Sequence, residues 1–155
     1  MQIRRATEAD VDALAQLLRD AFAEYERLYT RAGYAATTPD GPTIRARFAE
    51  GPTWVAHEDG RILGAVSAVA REGGVYVRSM AVAPAARGER IALHLMRQLE
   101  LFAVSSKAPR LFLSTTPFLF SAIRLYEALG FRRTGEPPDD LHGTPLVTMA
   151  RPLSR

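Results

Sequence analysis

A chain of 155 residues, 47% hydrophobic and 24% charged, is long enough for one globular domain with a sizeable core, expected over 1–155. The absence of cysteine excludes disulfides, cysteine-ligated metals and a thiol nucleophile. The net charge is only +3 and the arginines are scattered, so no nucleic-acid footprint is expected, and a small anionic ligand suits the charge equally well. No apolar run is long enough for a bilayer and "MQIRRATEAD" lacks the apolar core of a signal peptide, so no membrane role and a cytoplasmic location are the expectations.

The chain opens with a short strand, "QIRRA" (2–6). Thr7 and Asp10 resemble a capping box, with Asp in place of Glu. Val11, Leu14, Leu18, Phe22 and Tyr25 then recur at helical spacing, which predicts one helix ending before Gly33. "AATTPDGP" (35–42) reads as a loop and Ile44 to Glu50 as a second short helix. "TWVAHEDGRILGAVSAVA" (53–70) predicts a hairpin turning at Asp59-Gly60, and "GVYVRSMAVAP" (74–84) a further strand stopped by Pro84. Ile91, Leu95, Met96, Leu99 and Phe102 form a helical stripe, and "RLFLST" (110–115) is a strand. Thr116 is expected as an N-cap with Pro117 at the first helical position, and Gly130 as the left-handed stop. "FRRTG" (131–135) and "PLVTMARPL" (145–153) read as the last strands, separated by the polar loop "EPPDDLHGT". The fold class is therefore α/β on a mixed sheet.

The stretch "AVAPAARGERIALHLM" (81–96) joins a strand to a helix through a basic turn. Unpaired amides and the positive dipole end at a helix N-terminus favour an anion. Gly88 allows close approach, and Arg87 and Arg90 add charge. Taken alone, the turn reads equally as a Pro-capped strand exit with solvated arginines.

"MAVAPAARGERIA" resembles the acetyl-CoA-binding motif of the GCN5-related N-acetyltransferase (GNAT) superfamily, Gln/Arg-x-x-Gly-x-Gly/Ala after a Val-x-Pro strand end. "SAIRLYEALGF" (121–131) resembles that family's second CoA-proximal motif, and the element order follows its fold. The resemblance implies a GNAT-like fold with a mixed, mostly antiparallel sheet flanked by helices, and acetyl-CoA as co-substrate. Arg87, Gly88 and Ala92 match the first motif, whereas Arg90 stands where the family has glycine. By the resemblance, the amides of Arg87, Gly88, Arg90, Ile91 and Ala92 would hold the CoA pyrophosphate. A helical, negative φ is expected at Arg90. A second departure is Leu119, where family members often have asparagine, and Ser114 or Thr115 is the candidate replacement for its contact to the pantetheine arm.

Acetyl transfer to an amine needs a polarised thioester carbonyl, a neutral amine and a proton for the departing thiolate. The resemblance maps the first task onto the main chain of Met80, Ala81 and Val82 in a strand that splays from its neighbour, and the last onto Tyr126. From "RLYEALGF" alone, Tyr126 is also a plain core aromatic. Direct attack by the amine is the simplest route without cysteine. No general base is legible: Glu24 and Glu26 read as solvated helix charges. Arg78 is either a ligand for a substrate carboxylate or an arginine paired within the protein.

In the resembled family, the regions matching 24–40 and 136–144 wall the acceptor side. Tyr25, Tyr29, Tyr34, Asp139 and Asp140 there suit a cationic amine, so a small-molecule amine or a peptide N-terminus is the expected acceptor. The same two carboxylates also read as ordinary loop residues. "DDLH" (139–142) imitates a metal site in composition, but a polar loop is the expectation and no metal is predicted. A non-catalytic acyl-CoA-binding or sensing module on the same fold is the alternative function. A nucleotide-phosphate binder lacks its Gly-x-x-x-x-Gly-Lys-Ser/Thr motif. Oligomeric state is open, with a homodimer among the options.

Overall fold

The computed structural model describes residues 1–153; the last two residues of the expected 1–155 domain lie outside the described residues. β1 (Gln2–Arg5) leads into the predicted capping box, where the Thr7 N–H donates to Asp10 Oδ2 at 2.8 Å. Arg4 grips the same carboxylate in a fork at 2.8 and 2.9 Å and, with the Thr7 amide, holds it below its usual pKa. α1 (Val11–Phe22) follows and buries Val11, Leu14, Ala15, Leu17, Leu18 and Ala21 along one face.

The single helix expected up to Gly33 is instead three pieces. After Phe22 the chain tightens into a 3-10 turn over Ala23–Leu28, becomes extended at Tyr29 and Thr30, and restarts as α2 (Arg31–Thr37). The restart has a local cause: Thr30 Oγ1 accepts the Gly33 N–H at 3.0 Å as an N-cap. Gly33 is therefore an interior residue of α2, where an added Cβ would lie 2.4 Å from Thr144 Oγ1. The expected loop 35–42 shrinks likewise, because α2 runs to Thr37 and Asp40 caps α3 (Gly41–Arg47), accepting the Thr43 N–H at 2.9 Å. A 3-10 turn, Phe48–Glu50, completes that helix.

The hairpin forms as β2 (Thr53–Glu58) and β3 (Arg61–Arg71), followed by β4 (Gly74–Val82), α4 (Ile91–Ser105) and β5 (Arg110–Thr115). α5 (Phe120–Ala128) starts later than expected. Thr116 is not its cap: the Thr116 side chain is 2% exposed and turned inward, and its carbonyl accepts the Leu119 N–H at 3.2 Å in a turn that precedes the helix. The C-terminus behaves as the sequence indicates. Gly130 has φ 92°, its N–H donates to Glu127 O at 3.0 Å, and the Phe131 N–H donates to Tyr126 O at 2.9 Å, a Schellman closure.

β6 is only Arg132–Arg133, and β9 is Val147–Pro152. The intervening segment contains an unpredicted hairpin, β7 (Asp140–Leu141) with β8 (Thr144–Pro145). Its two turn residues, His142 and Gly143, have φ 49° and 93°, as a tight hairpin turn requires. The main sheet runs β1-β2-β3-β4-β5-β9-β6, with β4 and β5 its parallel pair.

Apolar residues line both faces of this sheet. Leu95 and Leu99 of α4, with Phe131, pack on one face against Val66, Val75 and Val77; α1 and Ile44 of α3 pack on the other against Val55, Ala65 and Ala81. β4 changes sides midway. Val75 and Val77 belong to the α4 face, whereas after Ser79 it is Met80 and Val82 that pack there and Ala81 that joins α1. The cause is a bulge: the register passes from Ser67↔Arg78 to Ala65↔Ala81, so Ser79 and Met80 together face Val66, and Ser79 has φ 57°. No described helix is long and apolar enough to cross a membrane.

Candidate active site

β4 and β5 are paired only at Val75↔Leu111 and Tyr76↔Phe112. Beyond Tyr76 the two parallel strands part, leaving β4 main chain from Val77 to Val82 without a β5 partner. The gap is the floor of a cavity of about 770 Å³, lined by Met80, Ala81 and Val82 on one side and Ser114, Thr115 and Thr116 on the other. The splay that the sequence implies is thus present.

At one end of this cavity lies the basic turn. Gly88 has φ 87° and an added Cβ there would meet nothing within 4 Å, so the glycine serves its backbone conformation and leaves the surface open. Among the described residues no carbonyl or side-chain acceptor takes the amides of Gly88, Arg90, Ile91 or Ala92. These donors open α4, whose dipole adds positive potential at the same spot. The turn therefore has the donor set that a diphosphate requires, and the residues fit such a group.

Two expectations about the turn need correction. Arg90 does not have helical φ: it is left-handed, at φ 61° and ψ 22°. The glycine of the resembled motif answers to this conformation, and an arginine holds it at a cost of about 1–2 kcal/mol. Arg87 also differs from its expected role. Its N–H is directed to Pro84 O at 3.4 Å, and its guanidinium donates to Ala21 O at 3.1 Å and pairs with Glu24. Arg87 lines the cavity, but its charge is already compensated.

Tyr126 reaches the cavity from α5 and is 6% exposed, its ring 5.8 Å from that of Phe131. Burial, with a smaller contribution from Tyr76, pushes its phenol well above the usual tyrosine range, so it is protonated at neutral pH. Leu119 lines the cavity, and Ser114 does too, with its hydroxyl 3.3 Å from Thr148 Oγ1.

The lining also includes Tyr25, Tyr29, Thr37, Arg47, Arg78, Leu141 and Leu146. Tyr29 and Phe118 meet edge to face at 4.9 Å, closing this wall against the 116–119 turn. The segments 24–40 and 136–144 do come together as expected. The Thr30 N–H donates to Thr144 Oγ1 at 2.8 Å, and Thr30 Oγ1 donates to His142 O at 2.8 Å. The carboxylates of Asp139 and Asp140, expected to face an acceptor, are not in the lining. Asp140 caps its own turn by accepting the Gly143 N–H at 2.7 Å, and both residues are exposed. The short hairpin directs Leu141 inward and leaves the acid beside it outside.

Of the two readings the sequence left open for Arg78, the internal pair is present, with Glu50 at 2.5 Å, and the residue also reaches the cavity. Arg47, which the sequence did not single out, lies beside it. Burial first, and then the charge of Arg78, push the Arg47 guanidinium below its ordinary pKa, with Glu50 partly offsetting them. No local signal distinguishes Arg47 from any other cation at a helix end; only the path of α3 brings it here. No group of three or more metal-ligating side chains exists among the described residues.

The sequence matches the acetyltransferase (GNAT) family over residues 12–131, and the chain belongs to that family. It is 30% identical over 135 residues to the uncharacterized N-acetyltransferase YjgM of Escherichia coli K12, covering 83% of this chain and 80% of that protein. It is 41% identical over 88 residues to the N-acetylaspartate synthetase of Danio rerio, covering 56% of this chain; the matched stretch spans about a third (31%) of that relative's length. An acetyltransferase structure from Salmonella typhimurium, solved with its cofactor acetyl-CoA, superimposes with a TM-score of 0.77 at 24% identity, over 100% of this chain and 95% of that one. The α/β GNAT fold is thereby shown, and acetyl-CoA is the cofactor of this family.

Proposed function

We propose that this protein is an acetyl-CoA-dependent N-acetyltransferase that acts in the cytoplasm on a primary amine by direct attack. The observation that carries the proposal is the convergence, in one cavity, of a buried and protonated Tyr126, the unpaired main chain of β4 and the unbonded amides that open α4. Acetyl-CoA, when bound, supplies the activated acetyl group. The amides of Gly88, Arg90, Ile91 and Ala92 bind its diphosphate. The β4 main chain at Met80–Val82 orients the carbonyl, and an N–H there stabilises the charge that develops on its oxygen. Tyr126 holds a proton at its hydroxyl and delivers it to the departing sulfur. The apolar lining excludes water, which protects the acetyl group from hydrolysis.

The acceptor is a small amine or a peptide N-terminus, not a nucleic acid. The relatives named N-acetylaspartate synthetase, similar over part of their length, favour the small amine. In the alternative, a non-catalytic acyl-CoA-binding module, Tyr126 would serve only as part of the core it shares with Phe131. The deciding experiment is thiol release from acetyl-CoA across a panel of amines, with calorimetric binding of acetyl-CoA alongside. Turnover of any amine, lost in Tyr126→Phe, supports the enzyme. Tight acetyl-CoA binding with no turnover across the panel supports the module.

A further inference from the structure

The part of the cavity lined by α3 and the middle of β4 carries an unbalanced positive charge. Arg47 and Arg78 both line it, and one carboxylate, Glu50, serves the pair. Glu50 takes the Nη2 of Arg78, while the Arg78 Nε is buried and has no hydrogen-bond partner. Arg47 has no ion pair among the described residues. A second buried polar atom of the lining, Thr116 Oγ1 in a residue 2% exposed, has only the neighbouring Tyr29 hydroxyl to turn to, outside hydrogen-bond geometry. Buried donors left unpaired cost free energy, so such a group of them is an unfilled binding specification.

The geometry points to an acceptor that carries its own carboxylate, an amino acid whose acid group is bound by Arg47 and Arg78 while its amine faces the thioester; this rests on the acetyltransferase reading. A guanidinium presents a planar fork of donors that matches a carboxylate, and two of them with one internal acid leave room for another anion. A cationic amine without a carboxylate would meet net positive charge here, which is the opposite of what Asp139 and Asp140 seemed to offer from the sequence. The reach is also right. Arg78 precedes Met80 by two residues of β4, at most about 7 Å because the bulge at Ser79 shortens the span, so an anchor at Arg78 serves a small molecule and not a long chain. Glu50 holds Arg78 in place and competes with the incoming acid.

The test uses the full-length protein and reads binding first. N-acetylalanine and N-acetylalaninamide, which differ only in the acid group, are titrated calorimetrically in the presence of CoA. The wild type should bind the acid at least about tenfold more tightly than the amide. Arg47→Gln and Arg78→Gln should each bring the two within about twofold, and Glu50→Gln should tighten the acid several-fold, a gain that a misfolded variant could not produce. Equal binding of acid and amide by the wild type, no binding of either, or a preference that survives both arginine substitutions would overturn the inference. Thiol release from acetyl-CoA with alanine and with alaninamide separates this from the reaction itself. If both amines turn over equally, the carboxylate site is wrong and the acetyltransferase reading stands. If no amine of the wider panel turns over but the acid is still selected through the two arginines, the carboxylate site stands and the acetyltransferase reading falls.

Discussion

The Arg87 guanidinium is tied to Glu24, a residue of the 3-10 turn that follows α1, and to the Ala21 carbonyl at the end of that helix. This joins the turn that precedes α4 to the wall of the acceptor end. It also neutralises a cation at the place where a diphosphate is expected. Both side chains are nearly half exposed, so the pair itself contributes little stability. Glu24→Gln should release Arg87 and tighten acetyl-CoA about two- to fivefold at low ionic strength, with the gain vanishing in high salt. Calorimetry at two salt concentrations checks this; an unchanged affinity at both would mean that the Arg87 side chain never turns to the ligand.

The left-handed backbone at Arg90 gives a prediction with two readouts. Arg90→Gly relieves the conformational cost but loosens the unfolded chain, so a net gain of up to about 1 kcal/mol is expected, or roughly 2–4 °C in Tm. Acetyl-CoA affinity should stay within about tenfold, because the donors are backbone amides. Gly88→Val forces a β-branched residue to φ 87° and should weaken acetyl-CoA binding far more, even though its Cβ would touch nothing within 4 Å in the protein. Normal acetyl-CoA binding by Gly88→Val would refute the assignment of this turn.

Tyr126→Phe keeps the ring and removes the proton donor. It should lower kcat about 100-fold with little change in acetyl-CoA affinity, measured by steady-state kinetics and calorimetry. The same substitution has a stability readout. Burial raises the Tyr126 pKa in the folded state, so the folded chain keeps this proton at a pH where the unfolded chain loses it. The contribution is fully present below about pH 10, the unfolded value, and is lost as pH rises beyond it. Alkaline unfolding should therefore be shallower in Tyr126→Phe than in the wild type, and identical alkaline limbs would show that the hydroxyl is not buried.

Thr144 is 1% exposed and accepts the Thr30 N–H from 114 residues away in the sequence. Thr144→Val preserves the shape but removes that acceptor, leaving a part-buried amide unserved at a cost of about 1–3 kcal/mol. The hairpin and the start of α2 would then separate more readily, and with them Leu141 and Tyr29 of the acceptor wall. The expected kinetic signature is a raised KM for the acceptor with acetyl-CoA affinity unchanged. Equal effects on both ligands would argue for general destabilisation instead.

Much of the scaffold is legible in single residues. The stripe from Ile91 to Leu99, the Asp59-Gly60 turn and the Gly130 stop each act locally, and each is found where its chemistry requires. The misreadings arise where a distant segment decides. Gly33 looks like a stop signal, but Thr144 explains it by close packing. Thr116 looks like a cap, but the cavity claims its side chain. In the site, the turn and Tyr126 could be recognised because their motifs are contiguous. Arg47 and Arg78 are 31 positions apart, one on α3 and one on β4, and only the tertiary fold brings both to one cavity, so no spacing rule announces them. Asp139 and Asp140 misled for a related reason: which side of a two-residue strand faces inward is set by a turn at His142-Gly143 that the sequence disguised as a loop.

The extra residue in β4 makes the length of that strand as consequential as its composition. Upstream of Ser79 the outward set includes Arg78, on the acceptor side; downstream the alternation is inverted, so that Met80 and Val82 pack toward α4. Substitutions upstream of the bulge therefore act on the Arg78 side of the strand, and those downstream on the packing of Met80 and Val82 toward α4. Removing Ser79 itself would restore strict alternation while leaving Met80, Ala81 and Val82 on their present faces and in register, so what the extra residue supplies is the local bend of β4 beside the cavity.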